Sequence, residues 1–320
     1  MTNITADYDE PWKEAIGQYL EQFLIFFFPK IHAKIDWRSP YRSLEKELSE
    51  LVGNSETGKR FPDKLFEVKL LTKKTVWVLI HVEVQSQYES DFSERIYVYN
   101  YRAFDKYRKR VISLAILGDD NPDWRPHSYT STLGNYKLSL KFPTVKLLDY
   151  EPRWSELLES DNPFAIMVMA HLKTKATTRD FLERKQWKWT VVRTLLSKGY
   201  SRDEVVNLFR FIDKMMTLPK TLQQAFKTEL TQSREEKIMP FISPFEEMVK
   251  EEGREESRVL TLREETIAVL EIRFNTVPPE VVDALNGIEN ADILRRLHRQ
   301  AVVIPSVPEF QQLIAELSHS

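Results

Sequence analysis

Residues 62–87 read PDKLFEVKLLTKKTVWVLIHVEVQSQ, and this stretch decides the fold. Two runs within it, 64–70 (KLFEVKL) and 76–84 (VWVLIHVEV), carry the apolar and β-branched side chains of strands. The polar LTKKT between them predicts a hairpin loop. Side chains alternate along a strand, so Val76, Val78, Ile80, Val82 and Val84 share one face, and Trp77, Leu79, His81, Glu83 and Gln85 share the other. A turn centred on Lys73 or Lys74 makes paired residue numbers total 146 or 148, which sets Asp63 opposite Glu83 or Gln85. A slip of one residue would turn Asp63 to the opposite face.

The pattern on either side fills in the architecture. Residues 91–108 predict a helix, with Asp91 and Glu94 spaced as a capping box and Phe92, Ile96, Tyr99 and Ala103 in one apolar stripe. Val111–Leu117 (VISLAIL) is the short continuous apolar run of a buried strand after a crossover helix. Further strands are expected at 136–142 and 144–149. Upstream, Pro11 suits a first helical turn and Pro29 a stop, so a helix is expected over about 10–28. Beyond 151 the pattern is helical, over 153–160, 163–173, 178–198, 201–216 and 219–230, with Ser201 and Glu204 as a second capping box. Six Glu within 246–256 mark an exposed helical connector, and helices over 259–274 and 280–318 follow. This order predicts an α/β chain, with an α+β mixed sheet, flanking helices and a large α-helical C-terminal region. The expected division is a core at 1–150, a helical extension packed on it at 151–242, a charged connector at 243–258 and a small helical domain at 259–320.

Composition limits the function. The 320 residues contain no cysteine, which excludes disulfides and thiolate metal sites and agrees with a cytoplasmic setting. The start, MTNITADYDEPWKE, lacks the basic residues and apolar stretch of a signal peptide. Apolar runs such as Phe23–Phe28 fall far short of the ~20 residues that cross a bilayer, so no membrane partner is expected. Net charge is −2, but residues 59–74 and 102–110 each carry a local +4. Such clusters, Lys59, Arg60, Lys73 and Lys74 among them, can neutralise phosphates or simply form solvated faces. Walker, dinucleotide-binding, zincin and nucleophile-elbow patterns are absent.

The chemistry concentrates on the hairpin. Two carboxylates a few ångströms apart repel unless a proton or cation joins them. Oxygen ligands suit Mg²⁺ or Mn²⁺, so Asp63 and Glu83, with the Val84 main-chain carbonyl, form a candidate metal set. Gln85 is placed to orient an attacking water through its amide. On spacing alone, an Asp after Pro62 equally begins a strand, and Glu83 and Gln85 equally form the polar face of a half-exposed strand.

The string Pro62-Asp63, a hairpin, then Glu83-Val84-Gln85 resembles the PD-(D/E)XK motif with Gln in the Lys position. Together with GKRFPDKL (58–65), WVLIHVEVQSQ (77–87), ERIYVYNYRAFDKY (94–107), NPFAIMVMAHLKT (162–174) and RFNTVPPE (273–280), it is similar to the recombination-promoting nuclease and putative transposase family, in its cyanobacterial type. The resemblance implies a restriction-endonuclease-like core, metal-dependent DNA cleavage tied to recombination or mobile DNA, and Asp63, Glu83 and Gln85 as the catalytic set. A homodimer is expected by the same analogy, since double-strand cutting needs two sites. Superfamily members often add an acid from the first helical region, for which Glu14, Glu21 and Glu47 are candidates. Arg95 and Arg102 are candidates for phosphate contact. Gln85 departs from the motif lysine, whose charge Lys59, Arg60 or Lys69 would then have to supply. The alternative is a weak or inactive nuclease fold that binds nucleic acid or assembles with protein.

Overall fold

A computed structural model describes residues 8–44, 64–71, 76–235, 238–288 and 290–317. The chain divides into two compact units, 1–240 and 241–320.

The first unit is built on a mixed five-stranded sheet. Its strands are β1 (Arg42–Ser43), β2 (Lys64–Leu70), β3 (Val76–Gln85), β4 (Arg110–Leu117) and β7 (Thr144–Lys146), in the order β1-β2-β3-β4-β7. β2 and β3 are antiparallel with Lys64 opposite Val82 and Leu70 opposite Val76, so paired numbers total 146, the first of the two registers expected. β3 runs parallel to β4, and β4 to β7. The helix α4 (Phe92–Tyr107) makes the β3-to-β4 crossover that parallel neighbours require.

β3 is therefore a central strand covered on both faces. Val78, Ile80, Val82 and Val84 are buried on one side, and Leu79, His81 and Glu83 on the other. This excludes the half-exposed strand that the alternation alone allowed. On the face of Leu65 and Leu79, Ala103 of α4 closes one apolar cluster, and Phe92 and Ile96 close a second with Ala115 and Leu117. On the N-terminal side, α1 (Asp9–Gln18) packs against β2 and β3.

The expected 10–28 helix is two helices, α1 and α2 (Leu20–Phe27), joined at Tyr19 with φ −126°. Gly17 explains the weak point, because glycine in a helix interior costs about 1 kcal/mol relative to alanine. A short α3 (Pro29–His32) follows. Asp91 precedes α4 but makes no side-chain cap, so that expected capping box does not form. The strand expected at 144–149 stops at Lys146, and Leu147–Arg153 continues as a 3-10 turn. The strand β6 (Tyr136–Lys141) pairs with an unanticipated β5 (Ser128–Leu133), forming a separate hairpin. SYTSTL has no apolar alternation to announce it; the two strands are joined by the two-residue Gly134-Asn135 loop.

The helices α5 (Trp154–Glu159), α6 (Pro163–Ala176), α7 (Phe181–Leu196), α8 (Arg202–Met215) and α9 (Lys220–Thr231) complete this unit. α6 is apolar all round and almost wholly buried, with Asn162 capping the Phe164 amide and Pro163 in the first turn. Phe164 meets Trp12 and Phe23 at ring-centre distances of 5.9 and 5.3 Å, tying α6 to α1 and α2. The Ser201–Glu204 capping box on α8 forms as expected.

The second unit contains α10 (Ile242–Phe274), α11 (Pro279–Asn286), α12 (Ala291–Val303) and α13 (Val307–Leu317). The acidic stretch 243–258 lies within α10, a single helix of 33 residues. Leu270, Val281, Leu285, Leu294, Leu297 and Phe310 form this unit's own core.

Candidate active site

β3 delivers His81, Glu83 and Gln85 to one face, beneath the first turns of α4. Glu83 is 2% exposed, and the structure binds it into a hydrogen-bonded chain. Asn100 Nδ2 donates to the Val111 carbonyl at 3.2 Å, and since that oxygen can only accept, the amide's orientation is fixed. The same nitrogen donates to Ser113 Oγ at 2.9 Å. Ser113 Oγ lies 3.1 Å from His81 Nδ1, and His81 Nε2 lies 3.1 Å from Glu83 Oε1, so the ring bridges the hydroxyl and the carboxyl in either tautomer. Tyr99 stands edge-on to the His81 ring with centres 5.8 Å apart. Three elements thus orient one carboxyl group: β3, β4 and α4.

Burial pushes the Glu83 carboxyl up to about 8. Arg95 and Lys13 pull the other way, and Asp9 adds to the rise. A carboxyl in this environment is mostly protonated at neutral pH, and an arriving cation would replace the proton.

Gln85 makes one bond on each side of its amide. Its Oε1 accepts from Arg95 Nη2 at 2.6 Å, and its Nε2 donates to the Gln87 carbonyl at 2.8 Å. The second N–H and the second carbonyl lone pair are not used by these two bonds, so the amide keeps the capacity to orient a water. Arg95 also pairs with Glu89. Ser86, next along the strand, donates to Asp9 Oδ1 at 2.9 Å, and its carbonyl accepts from Lys175 Nζ at 2.9 Å. A cleft of about 210 Å³ opens beside Lys175, bordered by Gly118, Asp119, Asp120 and His171; neither Glu83 nor Gln85 lines it.

Asp63, Glu47, Lys59, Arg60, Lys73 and Lys74 lie outside the described residues. The described β2–β3 register ends at Lys64 and Val82, one pair before 63. Val84 is buried on the face opposite Glu83. Glu21 stands 3.4 Å from His32, and Glu14 pairs with Lys214 at 2.7 Å, so neither is drawn to Glu83. Lys69 is held by Asp36 and Ser39 at 3.1 Å each, opposite Trp77, some six residues along β3 from Glu83. Arg102 is half-buried two helical turns beyond Arg95. Residues that sequence reasoning overlooked are Asp9, Lys13, Asn100 and Ser113. Asp9 is a first-helix acid, though not one of the acids named from the sequence, and Lys13 is a base that was not expected there; the proximity of both to Glu83 is a tertiary fact. Asn100 sits mid-helix, four residues from Ile96 on the buried stripe, where an unexplained amide was the available signal.

Among the described residues, no group of three His, Cys, Asp or Glu could hold a metal ion. The one acidic donor of the motif among the described residues is the buried Glu83 carboxyl; its oxygen chemistry suits Mg²⁺, and a second carboxylate would have to join it. No helix is long and apolar enough to cross a membrane among the described residues. No family model, curated protein or solved structure matches the chain.

Proposed function

We propose that this chain is a metal-dependent DNA endonuclease of the cytoplasm, hydrolysing phosphodiester bonds as part of recombination or the movement of DNA, and acting as a homodimer. The observation that carries the reading is the buried Glu83 carboxyl, held by the Asn100–Ser113–His81 chain at the position the PD…ExQ pattern assigns to a ligand.

Asp63, Glu83 and the Val84 carbonyl would hold Mg²⁺ or Mn²⁺. Once bound, such a cation lowers the pKa of its water and offsets charge on the phosphodiester. The chain's own residues set this up. His81 occupies Glu83 Oε1, leaving Oε2 as the oxygen to ligate. A proton carried on His81 Nε2, 3.1 Å from Oε1, would stabilise the carboxylate formed when Glu83 gives up its own proton. Arg95, Arg102, Lys73 and Lys74 supply phosphate contacts, which position the duplex without reading its sequence.

Supercoiled plasmid incubated with the protein in Mg²⁺, Mn²⁺ or EDTA tests this. Nicking is expected with either metal and not in EDTA. Asp63→Ala and Glu83→Gln should each reduce it by at least ~100-fold, the scale of losing a group aimed at the transition state. Nicking by both variants at the wild-type rate would show the site to be elsewhere.

A second reading is a nuclease fold that binds nucleic acid or assembles with protein without turnover. The burial of Glu83, 2% exposed and outside the lining of the cleft beside Lys175, favours it. Metal-dependent product from the wild type would exclude it.

A further inference from the structure

We propose that Arg95 carries the positive charge that PD-(D/E)XK sites place on the motif lysine, and that Gln85 is the positioning residue that holds it there. The inference rests on the nuclease reading.

The geometry is reciprocal. Gln85 offers its carbonyl oxygen to Arg95 Nη2 at 2.6 Å. Its amide nitrogen is tied to the Gln87 carbonyl at 2.8 Å, so the oxygen can only face the guanidinium. A lysine at 85 would set a second cation against Arg95. Glutamine at 85 and arginine at 95 therefore go together: the strand gives up the charge, and α4 returns it beside the same position.

Three features separate Arg95 from an ordinary surface arginine. Its side chain is 13% exposed, and its guanidinium lies 5.3 Å from the Phe92 ring centre, so the charge acts where water screens it little. It occupies the first turn of α4, where the helix dipole disfavours a cation, so helix stability alone does not explain it there. Glu89 takes Nη1 and Gln85 takes Nη2, but Nε, itself buried, has no hydrogen-bond partner among the described residues. That N–H is a donor left over from the bonds that fix the group. Lys69, the described lysine that the sequence offered for the missing charge, is occupied by Asp36 far along the sheet, and Lys13 acts on Glu83 less than Arg95 does.

The test uses the full chain and two readouts. The first is the affinity of a short fluorescent DNA duplex in EDTA across a salt series, which needs neither metal nor turnover. The second is plasmid nicking in Mg²⁺. Arg95→Gln should weaken duplex binding and flatten the salt dependence by about one unit of log–log slope, the signature of one lost phosphate contact. It should also cut nicking by ~100-fold or more. Arg95→Lys should recover the slope. Gln85→Lys with Arg95→Gln, which returns the charge to the motif position, should recover nicking relative to Arg95→Gln alone.

If Arg95→Gln lowers only the melting temperature while slope and affinity stay at wild type, Arg95 is a brace and the proposal is overturned. Failure of the double variant to exceed Arg95→Gln overturns it too, for a wild type that cuts. A wild type that binds duplex but never nicks sinks the nuclease reading alone, because the slope still decides Arg95. A wild type that binds no duplex overturns both.

Discussion

Two buried titratable groups give the protein opposite pH responses. The folded Glu83 carboxyl titrates at about 8, above its ordinary value near 4.5, so the native state holds a proton that the unfolded chain releases. Its contribution is fully present below about 4.5 and is lost as pH rises toward 8. His171 is the reverse. Burial lowers it from 6.5 to about 4, and it is held neutral between a bond from Nε2 to the Gly118 carbonyl at 2.8 Å and one from Trp12 Nε1 to Nδ1 at 3.2 Å. Its contribution is lost as pH falls from 6.5 toward 4. The two oppose each other between about 4.5 and 6.5, and Glu83 acts alone above that. Urea unfolding should therefore show stability declining from pH 6.5 to 8, by up to about 1 kcal/mol per pH unit. Glu83→Gln should flatten that decline, and an unchanged slope in the variant would remove Glu83 as its source. Ser113→Ala would remove the hydroxyl 3.1 Å from His81 Nδ1 and 2.9 Å from Asn100 Nδ2, at about 1–3 kcal/mol.

At the level of elements, the close approach of β4 to α6 is the most exacting contact. A Cβ on Gly118 would lie 2.5 Å from His171 Cε1 and 2.7 Å from Nε2, with both groups locked by hydrogen bonds. Gly118→Ala should cost about 1–3 kcal/mol, the range for overpacking a core, read as a lower urea midpoint. An unchanged midpoint would mean that α6 shifts freely. What the sequence disclosed at this scale follows physical lines. The β2–β3 hairpin, α4 and β4 were legible because burial writes period and apolar runs into them. β5 was not, because its exposed SYTSTL has no face to encode. The break at Tyr19 was hidden because helix 10–28 has one continuous apolar pattern and only Gly17 weakens it. For the site, strand alternation put His81, Glu83 and Gln85 together. No spacing rule could announce that Arg95, Asn100 and Ser113 would close over them, because these contacts join β3 to α4 and β4.

For the whole molecule, the division at 240/241 makes residues 241–320 a unit with its own core of Leu270, Val281, Leu285, Leu294, Leu297 and Phe310. Expressed alone, 241–320 should be helical by circular dichroism and unfold in one cooperative transition. A featureless, non-cooperative melt would show that its core depends on the rest of the chain. The functional account depends on the other unit, and there on one carboxyl group exchanging a proton for a cation. Calorimetric titration of the protein with Mn²⁺ at pH 7, in two buffers of different ionisation enthalpy, measures that exchange. A Glu83 titrating at about 8 predicts release of about one proton per cation bound, and no release from Glu83→Gln. Cation binding that releases no proton, or that is equally strong in Glu83→Gln, would contradict the assignment of Glu83 as the metal ligand.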